Sequence, residues 1–141
     1  MTDFKIIATA EATNETEELT TDINVHQHKM VVDEPVEYGG KDLGPSPVDY
    51  LCAALASCKV ITLRMYAKRK QWPLNSINIK VNLVKGENLP SGNNTFFCEL
   101  SVTGDLNDEQ LKRLLEISKA CPVQRMLAKP MDVETTIVKS H

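Results

Sequence analysis

The segment SPVDYLCAALASCKVITLRMYAKRKQWP, residues 46–73, constrains the fold more than any other part of the chain. It opens with helix-start signals. Ser46 suits an N-cap, Pro47 suits the first helical position, and Asp49 lies three residues after the cap, facing the positive end of the helix dipole. It stops at Trp72-Pro73, because a residue before proline is held extended. Between these limits Leu51, Leu55, Cys58, Thr62 and Met65 recur at helical spacing on one face, while Ala56 and Leu63 fall elsewhere. Ala53, Ala54 and Ser57 are small, so the first turns are nearly apolar all round. Such a helix needs cover on most of its sides, which predicts a central helix with the remaining elements wrapped around it. Lys68, Arg69 and Lys70 close it as solvated cations at its negative end.

The flanking sequence supplies strands. Residues 3–10 read as one; residues 18–25 and 28–33 read as two more around a tight turn at His26 and Gln27. Residues 34–46, with Pro35, Gly39, Gly40, Gly44 and Pro45, read as a loop of the length that often carries function. After the helix, Ile77, Ile79, Val81 and Leu83 alternate with polar residues in a strand over 76–85. Residues 86–94 form a loop, and Phe96, Cys98, Leu100 and Val102 then alternate in a strand that places Cys98 among core residues. Asn107 and Gln110 make a capping-box pattern for a second helix with an inner stripe of Leu111, Leu114, Leu115 and Ser118. Pro122 interrupts that helix and starts a short one over 122–129. Asp132–Lys139 reads as a last strand, with Val133, Thr135 and Ile137 on one face. Strands, long helix, two strands, helices and strand make an α+β fold with antiparallel sheets, and no repeat or linker divides residues 1–141 into more than a single domain.

Composition removes several function classes. The 141 residues carry 16 Lys plus Arg against 19 Asp plus Glu, a net charge of -3 that argues against a nucleic-acid surface. The apolar stretch around Leu51–Ala56 is too short to span a membrane, and Asp3 and Lys5 break the N-terminal segment before it could act as a signal peptide. The expectation is a cytoplasmic protein. Its four cysteines, at 52, 58, 98 and 121, form no CxxC pair and no cysteine–histidine cluster of zinc spacing. In a reducing compartment a disulfide among them would be transient.

Two of the cysteines occupy informative places. Cys58 lies about three turns into the long helix, where a cysteine alone is a small buried hydrophobe. Cys121 precedes Pro122 at the start of a helix, whose unpaired N–H groups would stabilise a thiolate; local physics therefore names Cys121 the more acidic thiol. Cys52, six residues before Cys58, points from another helix face and reads as packing.

The stretch GGKDLGPSPVDYLCAALASCKVITLRMYAKRK, residues 39–70, together with KACPVQRML, residues 119–127, resembles the OsmC/Ohr family of thiol-dependent peroxidases, closest to its general OsmC-like branch. The glycine-rich loop, the helix start, the first cysteine and the later Cys-Pro carry the resemblance. It implies an intertwined homodimer with active sites at the interface, Cys58 as the peroxidatic cysteine and Cys121 as the resolving cysteine. It further implies a hydroperoxide substrate and an external dithiol as reductant; Leu51 and Leu55 as pocket walls would favour an organic hydroperoxide over hydrogen peroxide, and no cofactor or metal is expected, the latter because no ligand spacing is present. Peroxidases of the family also hold the thiolate with an N-terminal arginine oriented by a glutamate. Here the first arginine is Arg64, and Val48 stands at the glutamate position. The candidates for electrostatic support are therefore His28, Glu37, Asp49 and Arg125, with Asp49 doubling as a helix cap.

Two rival readings keep the fold and change the function. One is a thiol redox sensor or stress-response protein that reacts with oxidant but turns over poorly. The other is a non-enzymatic small-ligand-binding dimer with buried, unreactive cysteines. Hydrolase chemistry is the weaker fit: Ser57 has no nucleophile-elbow context and the histidines have no evident acidic partner.

Overall fold

A computed structural model describes residues 4–89 and 94–140. Residue 3 of the first expected strand and residues 90–93 of the 86–94 loop lie outside the described residues. The element order is β1 (Glu11–Thr13), β2 (Thr21–Val25), β3 (His28–Val32), α1 (Pro47–Lys70), β4 (Leu74–Lys85), β5 (Asn94–Gly104), α2 (Asp108–Ser118) and α3 (Pro122–Leu127), with a 3-10 turn at Val36–Tyr38. The chain divides into two compact units, and the division falls within α1, between Leu51 and Cys52.

The first unit is a three-stranded antiparallel sheet in the order β1-β2-β3. The β2–β3 hairpin turns at His26 and Gln27 as expected, with Val25 paired to His28. His26 takes a φ of 54°, the left-handed conformation that two-residue hairpin turns require. The loop after β3 is organised by Asp33, which is only 1% exposed. One carboxylate oxygen accepts from Glu34 N at 2.8 Å. The other accepts from Thr20 Oγ1 at 2.9 Å, Lys41 N at 3.2 Å and Leu43 N at 3.3 Å. Burial pushes the carboxyl up, but these four hydrogen bonds outweigh it and hold it below the usual carboxylate range. Two of the loop's glycines are required by close approach: a Cβ on Gly40 would stand 1.9 Å from Glu34 O, and one on Gly44 would stand 2.4 Å from Val31 O.

In the second unit β4 and β5 form a long antiparallel hairpin that pairs Ile77 with Val102, Ile79 with Leu100, Val81 with Cys98 and Leu83 with Phe96. Its apolar face packs against a core of Leu63, Tyr66, Ala67, Leu74 and Leu114. The buried stripe of α1 is Leu55, Lys59, Leu63, Tyr66 and Ala67, which corrects the expected one. Leu51 is exposed, Met65 is 67% exposed, and Cys58 and Thr62 are half-buried. A helix apolar on all sides has no phase of its own; the facing sheet selects the stripe. Helix α1 ends before Pro73 in a Schellman motif, with Gln71 at φ 58°, Gln71 N donating to Lys68 O and Trp72 N to Ala67 O. The Trp72 ring completes it, edge-on to Tyr66 at 5.4 Å.

Helix α2 starts with the expected capping box between Asn107 and Gln110. Its buried residues are Leu114 and Ser118, whereas Leu111 and Leu115 are exposed, so the expected four-residue stripe is half realised. The chain outside these elements departs most from expectation. Residues 4–10 and 132–139 form no strand. Their alternating pattern is present, but a strand also needs an edge to bond to, and each segment stays unpaired. Ile6 and Ile7 are exposed, and Ile137 is 95% exposed.

Candidate functional site

The site is assembled in the second unit where α1 meets the α2–α3 junction. Cys121 is the N-cap of α3, as its place before Pro122 predicts; its sulfur accepts from Gln124 N at 3.4 Å. It is wholly buried, while Cys58 on α1 is half-buried. The two cysteines, 63 positions apart in sequence, lie close enough for Cys58 to shift the Cys121 thiol. Burial pushes the Cys121 thiol up, and hydrogen bonding with Cys58 adds to the rise. The N–H groups of Gln124 and Val123 pull the other way and are outweighed. The expectation that the helix start makes the Cys121 thiol acidic is therefore corrected. The cap geometry is as expected, but the loss of water around the sulfur dominates it.

This arrangement assigns different chemistry to the two sulfurs. Cys58 is the more solvent-accessible of the two thiols. Cys121 is buried, and its thiol is held in the protonated form more strongly than a solvent-exposed one.

Sequence reasoning missed Lys59. It is only 4% exposed, directly after Cys58 on the buried stripe. Its Nζ donates to Ser118 O at 2.8 Å and to Gln124 Oε1. One signal could have found it: Lys59 is the single charged residue between Asp49 and Arg64. Lys59, Ser118 and Gln124 also line a cavity of about 800 Å³ whose other walls include Leu55, Phe96 and Leu100. Cys98 lies on the sheet face the alternation predicts, yet that face opens onto this cavity and leaves Cys98 exposed instead of in the core.

The four residues expected to give electrostatic support have these local settings. His28 is exposed at the first position of β3, and Glu37 is exposed in the 3-10 turn. Asp49 forms a reciprocal cap, its Oδ2 accepting from Ser46 N at 3.0 Å while its own N donates to Ser46 Oγ at 3.1 Å. Arg125 is exposed in the last turn of α3. Among the described residues no three His, Cys, Asp or Glu side chains gather in a metal-binding group. No helix among them is long and apolar enough to cross a membrane.

Comparison with solved structures places the fold. An OsmC-like protein from Mycoplasma pneumoniae superposes with a TM-score of 0.70 at 20% identity, over 90% of this chain and 89% of that one. A Psychrobacter arcticus protein, provisionally named for osmotic stress induction and detoxification response, gives 0.71 at 22% identity over 89% and 91%. The organic hydroperoxide resistance protein OsmC of Legionella pneumophila gives 0.61 at 19% identity over 86% and 89%. No curated protein matches the chain. The family described as OsmC-like protein matches residues 39–136, a span that contains the glycine loop, α1, both long strands and the Cys58–Cys121 pair. The chain belongs to the OsmC-like protein family.

Proposed function

We propose that the chain is a thiol-dependent peroxidase for organic hydroperoxides, with Cys58 as the peroxidatic and Cys121 as the resolving cysteine. The observation that supports this reading is a half-buried thiol, Cys58, close enough to the fully buried Cys121 to help push that thiol up. The Cys58 thiolate attacks the terminal oxygen of ROOH. The O–O bond breaks, the alkoxide takes up a proton to leave as ROH, and Cys58 becomes a sulfenic acid. The Cys121 sulfur then attacks the Cys58 sulfur, forming the disulfide and releasing water. A dithiol returns both thiols by two exchange steps and leaves as its own disulfide. The apolar walls of the neighbouring cavity favour an organic substrate. Among the structural neighbours, proteins from Legionella pneumophila and Elizabethkingia anophelis are named for organic hydroperoxide resistance.

The same proposal takes the two units as one OsmC-like domain working as an intertwined homodimer in the cytoplasm. The unpaired apolar segments at residues 4–10 and 131–138 favour strand pairing with a second copy. His28, Glu37, Asp49 and Arg125 are the proposed supporting charges. A redox sensor with slow turnover is the second reading. It is favoured by the burial that pushes the Cys121 thiol up, because a protonated resolving thiol attacks slowly.

Reaction of the reduced protein with one equivalent of cumene hydroperoxide, followed by peptide mass spectrometry, tests both readings. The expected product is a Cys58–Cys121 linkage, and dihydrolipoamide then supports repeated turnover in the peroxidase case. A linkage without turnover selects the sensor. Free thiols at both positions in folded protein overturn the proposal.

A further inference from the structure

We infer that Lys59 is a positioning residue that holds the Cys121-bearing junction against α1, so that the Cys58 sulfenic acid and the Cys121 thiol meet. The inference rests on the two-cysteine reading above. Helix α3 has only six residues and buries none of them, so apolar packing anchors it weakly. Ser118 at the end of α2 is buried, so its terminal carbonyl needs a donor from the protein. Lys59 answers both needs with one ammonium, donating to Ser118 O at the end of α2 and to Gln124 Oε1 in α3. Gln124 is the residue whose backbone N–H also caps the Cys121 sulfur. A continuous polar chain therefore runs from the residue after Cys58 to the sulfur of Cys121. No carboxylate draws the ammonium away: among the described residues the ion pairs are Lys41–Glu18 and Arg113–Glu116. Ser118 and Cys121 are both buried, so the tie acts in a region where little water competes for its hydrogen bonds.

The step that depends on this tie is disulfide closure. The Cys121 sulfur displaces hydroxide from the Cys58 sulfenic acid, the Cys121 proton completes a water molecule, and the S–S bond forms. The earlier attack of Cys58 on the hydroperoxide needs no movement of α3.

The test measures closure in two ways on full-length Lys59→Met, Gln124→Leu and the double variant. First, the reduced proteins are equilibrated with reduced and oxidised glutathione, where protein dithiol plus oxidised glutathione gives protein disulfide plus two reduced glutathiones. The effective concentration of the Cys58–Cys121 pair should fall by about tenfold in each single variant, with the double variant no worse than either. Second, after one equivalent of cumene hydroperoxide, dimedone should trap Cys58 sulfenic acid in the variants and not in the parent, where the disulfide closes first. The core variant Leu74→Ala serves as the control for a purely structural effect: it should lower the melting temperature and leave the effective concentration unchanged. Unchanged effective concentration in folded Lys59→Met and Gln124→Leu overturns the inference, as does an equal fall in Leu74→Ala. A parent protein that ignores hydroperoxide but shows the expected glutathione pattern overturns the proposed peroxidase and upholds the role of Lys59.

Discussion

Asp33 and Lys59 are the two fully buried charged side chains among the described residues, one in each unit, and neither is paired with an opposite charge. The difference lies in how each is satisfied. Asp33 accepts four hydrogen bonds, three of them from backbone N–H groups. It thereby fixes the path of a loop that has little apolar surface of its own. Lys59 donates to two acceptors on two helices. The first charge shapes one continuous stretch of chain; the second joins elements that are distant in sequence. An anion that organises backbone donors is a local device, like an N-cap enlarged to a loop. A cation spanning two helices is a tertiary device, and its loss should be felt as altered spacing more than as unfolding.

The largest expected effect separates the two by stability. Asp33→Ala leaves Glu34, Lys41 and Leu43 N–H groups and the Thr20 hydroxyl without their acceptor. Its melting temperature should fall by roughly 10 °C, since four part-buried donors lose their acceptor together. Lys59→Met keeps the length and apolar stem and orphans only two acceptors, a cost of about 1–3 kcal/mol. Thermal unfolding of both variants checks the order. Lys59→Met proving the more damaging would break the distinction between a loop organiser and a helix tie.

The same contrast explains what was legible in the sequence. The hairpin turn at His26 and Gln27, the Asn107–Gln110 capping box and the N-cap position of Cys121 are all local, and each is where the residues placed it. The proposed Cys58–Cys121 pairing came from resemblance, since 62 intervening residues hide any such proximity from local rules. Lys59 was hidden for the same reason, and Asp33 because its partners span residues 20–43. The buried face of α1 was misread because Leu, Ala and Cys surround it, so periodicity gave no phase. Residues 132–139 alternate as a strand should, yet alternation reports a face and says nothing of a neighbouring edge.

A smaller effect sharpens the comparison through pH. The Asp33 carboxyl lies below the usual range in the folded protein, so its stabilisation is present above the unfolded carboxylate pKa and is lost as pH falls through the folded value. The Cys121 thiol lies above its ordinary value. Its contribution is complete below the unfolded thiol pKa and is lost as pH rises through the folded one. Stability should therefore decline at acid pH through the first unit and at alkaline pH through the second. Denaturant midpoints measured across pH should lose part of the acid decline in Asp33→Asn alone and part of the alkaline decline in Cys121→Ala alone. A single variant that flattened both declines would show that the two groups do not act independently.

The smallest effect asks whether the Asp33 network behaves as one unit. Thr20→Val removes a single hydroxyl donor, at 2.9 Å from Asp33 Oδ2, and preserves the shape of the side chain. That oxygen keeps two backbone donors, Lys41 N and Leu43 N. Replacing both members of a neutral pair by apolar groups is often nearly free, but here the acceptor stays charged and loses one of its bonds. The expected cost is about 1 kcal/mol, read from the shift in denaturant midpoint at constant slope. The effect should also vanish in an Asp33→Ala background, where the hydroxyl has no carboxylate to meet. An undiminished Thr20→Val effect in that background would place the role of Thr20 outside the network. Asp33 would then be held by backbone donors alone, and the contrast with Lys59 would be sharper still: one charge fixed entirely by its own loop, the other by two helices whose acceptors lie 59 and 65 residues away along the chain.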